Sequence, residues 1–137
     1  MRKFPTVVAT TALTLAAGVL GASHASALGG ETLGCRFSPG PVIPFSQFCT
    51  NQASARSYNL GFLVQNQGAG TTYAWSVPAE YVPAINAGCT ATSSSCSLTV
   101  PNGDAYIAVS VTLTQNGASE TLTSYASESR YCGSQLC

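Results

Sequence analysis

Ionisable side chains are nearly missing from this sequence. Its 137 residues include five Lys or Arg, five Asp or Glu, one His and one Trp. Tight contact with nucleic acid or an anionic membrane surface needs clustered cations, and the basic residues here stand far apart after the first three positions. Long apolar runs are also scarce. The one stretch of that kind extends from Phe4 to about Gly21.

That stretch follows Met1-Arg2-Lys3 and precedes Ala22-Ser23-His24-Ala25-Ser26-Ala27. A basic start, an apolar middle and a small-residue end with Ala25-Ser26-Ala27 spell a cleavable export signal over residues 1–27. The competing reading is a membrane anchor. A spanning helix takes about 20 strongly apolar residues, and this run is diluted by Thr, Ala, Gly and Pro5. No Cys stands at the cleavage point to take a lipid, so no stable membrane anchor is expected.

Cleavage after Ala27 leaves residues 28–137, which is 137 minus 27, or 110 residues, enough for one domain with a modest core. It also removes Lys3 and His24, the sole lysine and histidine. The remaining cations are Arg36, Arg56 and Arg130, against Glu31, Glu80, Asp104, Glu120 and Glu128, a net charge of 3 − 5 = −2.

All six cysteines fall after the leader: Cys35, Cys49, Cys89, Cys96, Cys132 and Cys137. An even count in a small exported domain reads as three disulfides. Their spacing favours the local pairs Cys35–Cys49, Cys89–Cys96 and Cys132–Cys137 among the roughly 15 connectivities that six cysteines allow. A zinc site is the alternative, but there is no Cys-x-x-Cys and no histidine after the leader.

Period-two alternation recurs along the chain and signals strands with one buried face. Tyr58, Leu60, Phe62 and Val64 make one apolar row, Tyr73, Trp75 and Val77 another, and Cys96-Ser97-Leu98-Thr99-Val100 a third, ended by Pro101. Ile107, Val109, Val111 and Leu113 alternate with small polar residues up to Asn116-Gly117, and Ala118 to Tyr125 follows. Asn-Gly accepts the positive φ angles of a type I′ turn, which predicts Val111 opposite Leu122 and Thr112 opposite Thr121. Pro78 to Ala87 is a short helical candidate that Pro83 limits to a turn or two. The Gly-, Pro- and Ser-rich Leu28–Ser57 segment suggests an irregular edge strand within the Cys35–Cys49 loop. Short strands with frequent turns indicate an all-β sandwich.

Tyr73-Ala74-Trp75-Ser76-Val77 resembles the third strand of bacterial secreted immunoglobulin-like and PKD-like domains, with its buried Trp. Asp104-Ala105-Tyr106-Ile107-Ala108-Val109-Ser110-Val111 and the Asn-Gly hairpin are similar to their last two strands. The resemblance covers Tyr58 to Ser127 and implies an immunoglobulin-like antiparallel β-sandwich. Where immunoglobulin domains carry a Cys pair between their sheets, this chain has Leu60 or Phe62 and Val109. The resemblance thus implies bridges moved to loops and ends, and a core packed around Trp75.

Without the leader the chain has no imidazole for a Ser-His-Asp or Cys-His device and no lysine nucleophile. The five acids sit in unrelated places, and Glu120, Glu128 and Asp104 read as solvated strand edges or turn formers. No catalysis, metal or cofactor is expected. One feature points outward: Tyr106, Thr112, Thr114, Thr121, Thr123 and Tyr125, with Ser110 and Ser119, fall on one face of the hairpin. Threonine and tyrosine suit any strand's solvent face, but this row would also make a hydroxyl-rich platform with aromatic rings for a polysaccharide. The expectation is a secreted, non-catalytic binding or adhesion module for an extracellular polysaccharide or protein. The alternatives are an inhibitor of an extracellular hydrolase, using Thr90-Ala91-Thr92-Ser93-Ser94-Ser95, and a small-ligand carrier similar to bacterial antibiotic-binding apoproteins.

Overall fold

Asn116 and Gly117 take φ angles of 50° and 80°, so the Asn-Gly pair makes the tight turn that its chemistry favours. The turn joins β7 (Ala105–Gln115) to β8 (Ala118–Glu128), with Val111 opposite Leu122 and Thr112 opposite Thr121. A computed structural model describes residues 28–137; the leader expected over residues 1–27 lies outside the described residues.

The other strands are β1 (Thr32–Ser38), β2 (Phe48–Thr50), β3 (Ser57–Gln65), β4 (Thr72–Ser76), β5 (Ile85–Gly88) and β6 (Ser95–Pro101). A small hairpin of β9 (Tyr131–Cys132) and β10 (Gln135–Leu136) follows. Two four-stranded sheets result, in the orders β1-β3-β6-β5 and β2-β8-β7-β4. Alternation puts Leu60, Phe62, Leu98 and Val100 of the first sheet and Ile107, Val109, Val111 and Leu113 of the second into one apolar cluster, each no more than 1% exposed. Burying each such side chain contributes about 1.5–3 kcal/mol.

The three expected disulfides are the ones formed, Cys35–Cys49, Cys89–Cys96 and Cys132–Cys137, and no described cysteine is free. Three disulfides are what an oxidising compartment sustains. Among the described residues no helix is long and apolar enough to cross a membrane.

Several expectations need correction. The segment around Cys35 forms an edge strand, as expected, but β1 is regular and seven residues long. The pairing is not wholly antiparallel, because β2 runs parallel to β8. After β1 the chain returns along Phe45 and Ser46, bonds Ser46 to Cys35, and then crosses to the other sheet. Gly34 makes this strap possible, since a Cβ there would sit 2.7 Å from the Phe45 Cβ. As a result Cys35–Cys49 is no loop staple: it ties β1 of one sheet to β2 of the other, with both cysteines buried.

The core does not centre on Trp75 either. Its strand, β4, is the rim strand of its sheet, so the indole is only half-buried, and its Nε1 donates to Ser93 O at 3.0 Å. Tyr58 and Phe62, in the central strand β3, are the largest fully buried residues. The Pro78–Ala87 segment yields a 3-10 helix over Ala79–Ala84 and then strand β5, which pairs with β6. Gly88 ends β5 with φ 70°, and a side chain there would collide with Ser95 O.

Candidate functional site

The outer face of the β2-β8-β7-β4 sheet is built by the same alternation that fills the core. Tyr125 N donates to Gln47 O at 2.8 Å, so the odd residues of β8 turn their backbone groups away from β7. The pairs Ser110–Thr123, Thr112–Thr121 and Thr114–Ser119 therefore occupy non-hydrogen-bonded positions, where opposite side chains approach most closely. Their hydroxyls meet at 2.8, 2.8 and 2.9 Å. Each hydroxyl has one donor and two acceptor sites, so every pair keeps one donor and several lone pairs for something outside.

At the far end of this ladder stand the tyrosines. Tyr125 stacks on Phe48 at 5.1 Å between centroids and on Tyr106 at 6.0 Å. Such contacts contribute about 0.5–1.5 kcal/mol each. Tyr125 has both ring faces covered and is half-buried, whereas Phe48 and Tyr106 are 64% and 65% exposed. Sequence alternation brings together Tyr106, Thr112, Thr114, Thr121, Thr123 and Tyr125 on this face, as expected. It misses Phe48, because β2 is three residues long and joins by a crossing that no periodicity announces.

No strand position on this face carries a charge: Thr72, Ala74 and Ser76 of β4 and Thr50 of β2 extend the neutral surface. The chain's acids lie elsewhere. Glu128, read above as solvated, is 4% exposed and accepts a bond from Gly103 N at 3.0 Å. Leu122, Ser124, Ala126 and Glu128 share the inward parity of β8, which is the signal that places it. Burial pushes its carboxyl above the usual range; the Gly103 N–H opposes this and Asp104 adds to it. Burial, then the Glu80 and Glu128 carboxylates, likewise push the Tyr81 phenol up.

Nearby, side chains stand in for a β-ladder. Asn51 bonds both backbone groups of Ser129 at 2.7 and 2.9 Å, Asn102 does the same for Tyr131 at 2.8 and 2.9 Å, and Asp104 accepts from Arg130 N at 2.9 Å. These acids and amides hold the segment leading to Cys132. Among the described residues no group of three or more His, Cys, Asp or Glu is arranged to hold a metal ion.

The raised Glu128 pKa makes stability depend on pH with a definite sign. A carboxyl whose folded pKa exceeds its unfolded value favours the fold fully below the unfolded value, near 4.5, and loses that benefit as pH rises through the folded value. The expected result is a denaturation midpoint that rises as pH falls from neutral towards 4.5, and a weaker dependence in Glu128→Gln, which keeps the acceptor for Gly103. Urea titrations across that range check it. A Glu128→Gln variant with an unchanged pH profile contradicts it.

The loop of the inhibitor alternative lies against β3 and β4. Thr90 to Ser95 is fastened down: Tyr73 N donates to Ala91 O at 3.0 Å, Val64 N to Ser94 O at 2.9 Å, and Trp75 to Ser93 O. Comparison with known protein families, with curated proteins and with solved structures gives no match to this chain.

Proposed function

We propose that this chain is a secreted, non-catalytic binding module with an immunoglobulin-like β-sandwich, and that its neutral outer face holds an extracellular polysaccharide. The strand order supports the fold reading. Taking β1, β3, β4, β5, β6, β7 and β8 as seven successive strands, one sheet runs first-second-fifth-fourth and the other third-sixth-seventh, the order of constant-type domains. The leader pattern and three disulfides support secretion. Residues 28–137 contain no histidine or lysine, which supports binding rather than proton-transfer chemistry.

The observation that carries the reading is an uncharged sheet face with three hydroxyl pairs in register and a row of aromatic rings at one end. A neutral glycan offers hydroxyls to complement the ladder and apolar C–H faces for the open sides of Tyr106 and Phe48. Retention on insoluble chitin, cellulose and peptidoglycan tests it. The protein is expected to be retained on at least one, and Tyr106→Ala to bind about tenfold more weakly, the loss of roughly one ring contact. Tyr106→Ala also gives up the stacking on Tyr125, so it should cost about 0.5–1.5 kcal/mol of stability and leave the fold intact. No retention on any of the three polymers sinks the proposal.

A further inference from the structure

A second feature lies at the seam between the sheets. The edges of β1 and β8 border a groove of about 450 Å³, with Leu33 and Leu122 as apolar lining, Phe45 and Gln47 on the strap, and Glu31 as a charged member. That volume falls within the range of ordinary ligand sites.

Its walls carry backbone groups that lack a strand partner. The odd residues of β8 aim their N–H and C=O away from β7, yet pairing with β2 covers only Tyr125 to Ser127. Among the described residues the N–H and C=O of Thr121 and the N–H of Thr123 have no backbone partner, and Thr123 O receives only Gln47 Nε2 at 3.3 Å. Opposite, Cys35 N and O bond to Ser46 at 2.7 and 3.4 Å. Alternation turns the N–H and C=O of Leu33 the same way, again without a backbone partner among the described residues. The chain fills this lane from Gln47 onward only, because Ser46 is held on β1.

An independent observation concerns charge. Glu120 projects on the same side of β8 as Leu122, and its Oε2 is buried with no hydrogen-bond partner among the described residues. A buried carboxylate oxygen without a donor is costly. Glu31 lines the groove, Glu120 immediately precedes its β8 wall of Thr121 to Thr123, and among the described residues no cation lines it.

We propose that this groove receives an extended peptide segment of a partner protein, added as a strand along the β8 edge at Ser119–Thr123. An apolar side chain rests against Leu33 and Leu122, and an Arg or Lys two residues away on the same side faces Glu31 and Glu120. The unpaired N–H and C=O groups select an extended backbone, and the two acids select a basic residue. This site uses the edge of β8, whereas the glycan reading uses its outer face, so either can fail without the other.

The probe is a synthetic heptapeptide, acetyl-Thr-Val-Thr-Arg-Thr-Val-Thr-amide, which places Val, Arg and Val on one side. Amide hydrogen exchange of the disulfide-intact protein is followed by NMR. Saturating peptide is expected to slow exchange at Thr121 and Thr123 about tenfold or more. The same peptide with Glu for Arg is expected to bind about tenfold more weakly. Glu120→Gln, which keeps the side chain's size, should reduce the preference for Arg. Unchanged exchange at Thr121 and Thr123 with ~1 mM peptide, or equal binding of the two peptides, overturns the proposal. Slowing that tracks protein concentration without peptide also overturns it, by assigning the lane to a second copy of this chain.

Discussion

Phe62→Ala is expected to cost about 3–5 kcal/mol of folding stability, the range for removing a fully buried ring from a packed core. Phe62 is 1% exposed and lies on β3, the strand with neighbours on both sides in its sheet. Its inward neighbours Leu60 and Val64 are equally buried, and Val109 and Val111 face them from the other sheet. Trp75→Ala removes a larger side chain yet is expected to cost clearly less, because the indole is half-buried on rim strand β4 and chiefly clips the Ser93 loop. Urea unfolding of both variants decides the matter. A larger loss for Trp75→Ala would move the core to where the resemblance put it.

Replacing both Cys35 and Cys49 by Ala is expected to cost about 3 kcal/mol, from the freedom regained by a loop of about 15 residues in the unfolded chain. For a domain of this size that is a fall in Tm of roughly 10–20 °C. The bridge also holds β2, only three residues long, against β8. Its loss should therefore loosen Phe48 from Tyr125 and weaken glycan retention along with stability. Replacing Cys132 and Cys137 opens a shorter loop, at sequence separation 5 rather than 14, and should cost less and leave retention unchanged. Calorimetry with a pull-down on the same two variants tests both halves. Equal Tm losses would contradict the sheet-to-sheet role assigned to Cys35–Cys49.

Much of this architecture is legible locally. Asn116-Gly117 fixes the β7–β8 register because two adjacent residues alone can adopt the required turn. The disulfides follow from proximity along the chain, and the six outward residues from parity on one hairpin. What sequence reading misses depends on contacts distant along the chain. Nothing near Phe48 says that it will pair with Tyr125, because the crossing depends on Gly34 leaving room for Phe45. Trp75 looks like a core residue by type, and only the position of β4 at the rim demotes it. Glu128 looks solvated by type, and its inward parity overrides that. The groove is invisible in the sequence, since it consists of backbone edges that the chain stops short of covering.

A neutral, hydroxyl-lined sheet face that serves as the proposed glycan-binding surface must respond to glycan fragments in solution. NMR titration with soluble fragments of chitin, cellulose and peptidoglycan tests it most directly. The account predicts shifts from at least one fragment, concentrated at Tyr106, Ser110, Thr112, Thr121, Thr123 and Tyr125, with Leu98 and Val100 on the opposite sheet unmoved. Shifts scattered over both sheets, or none with any fragment at millimolar concentration, would contradict it.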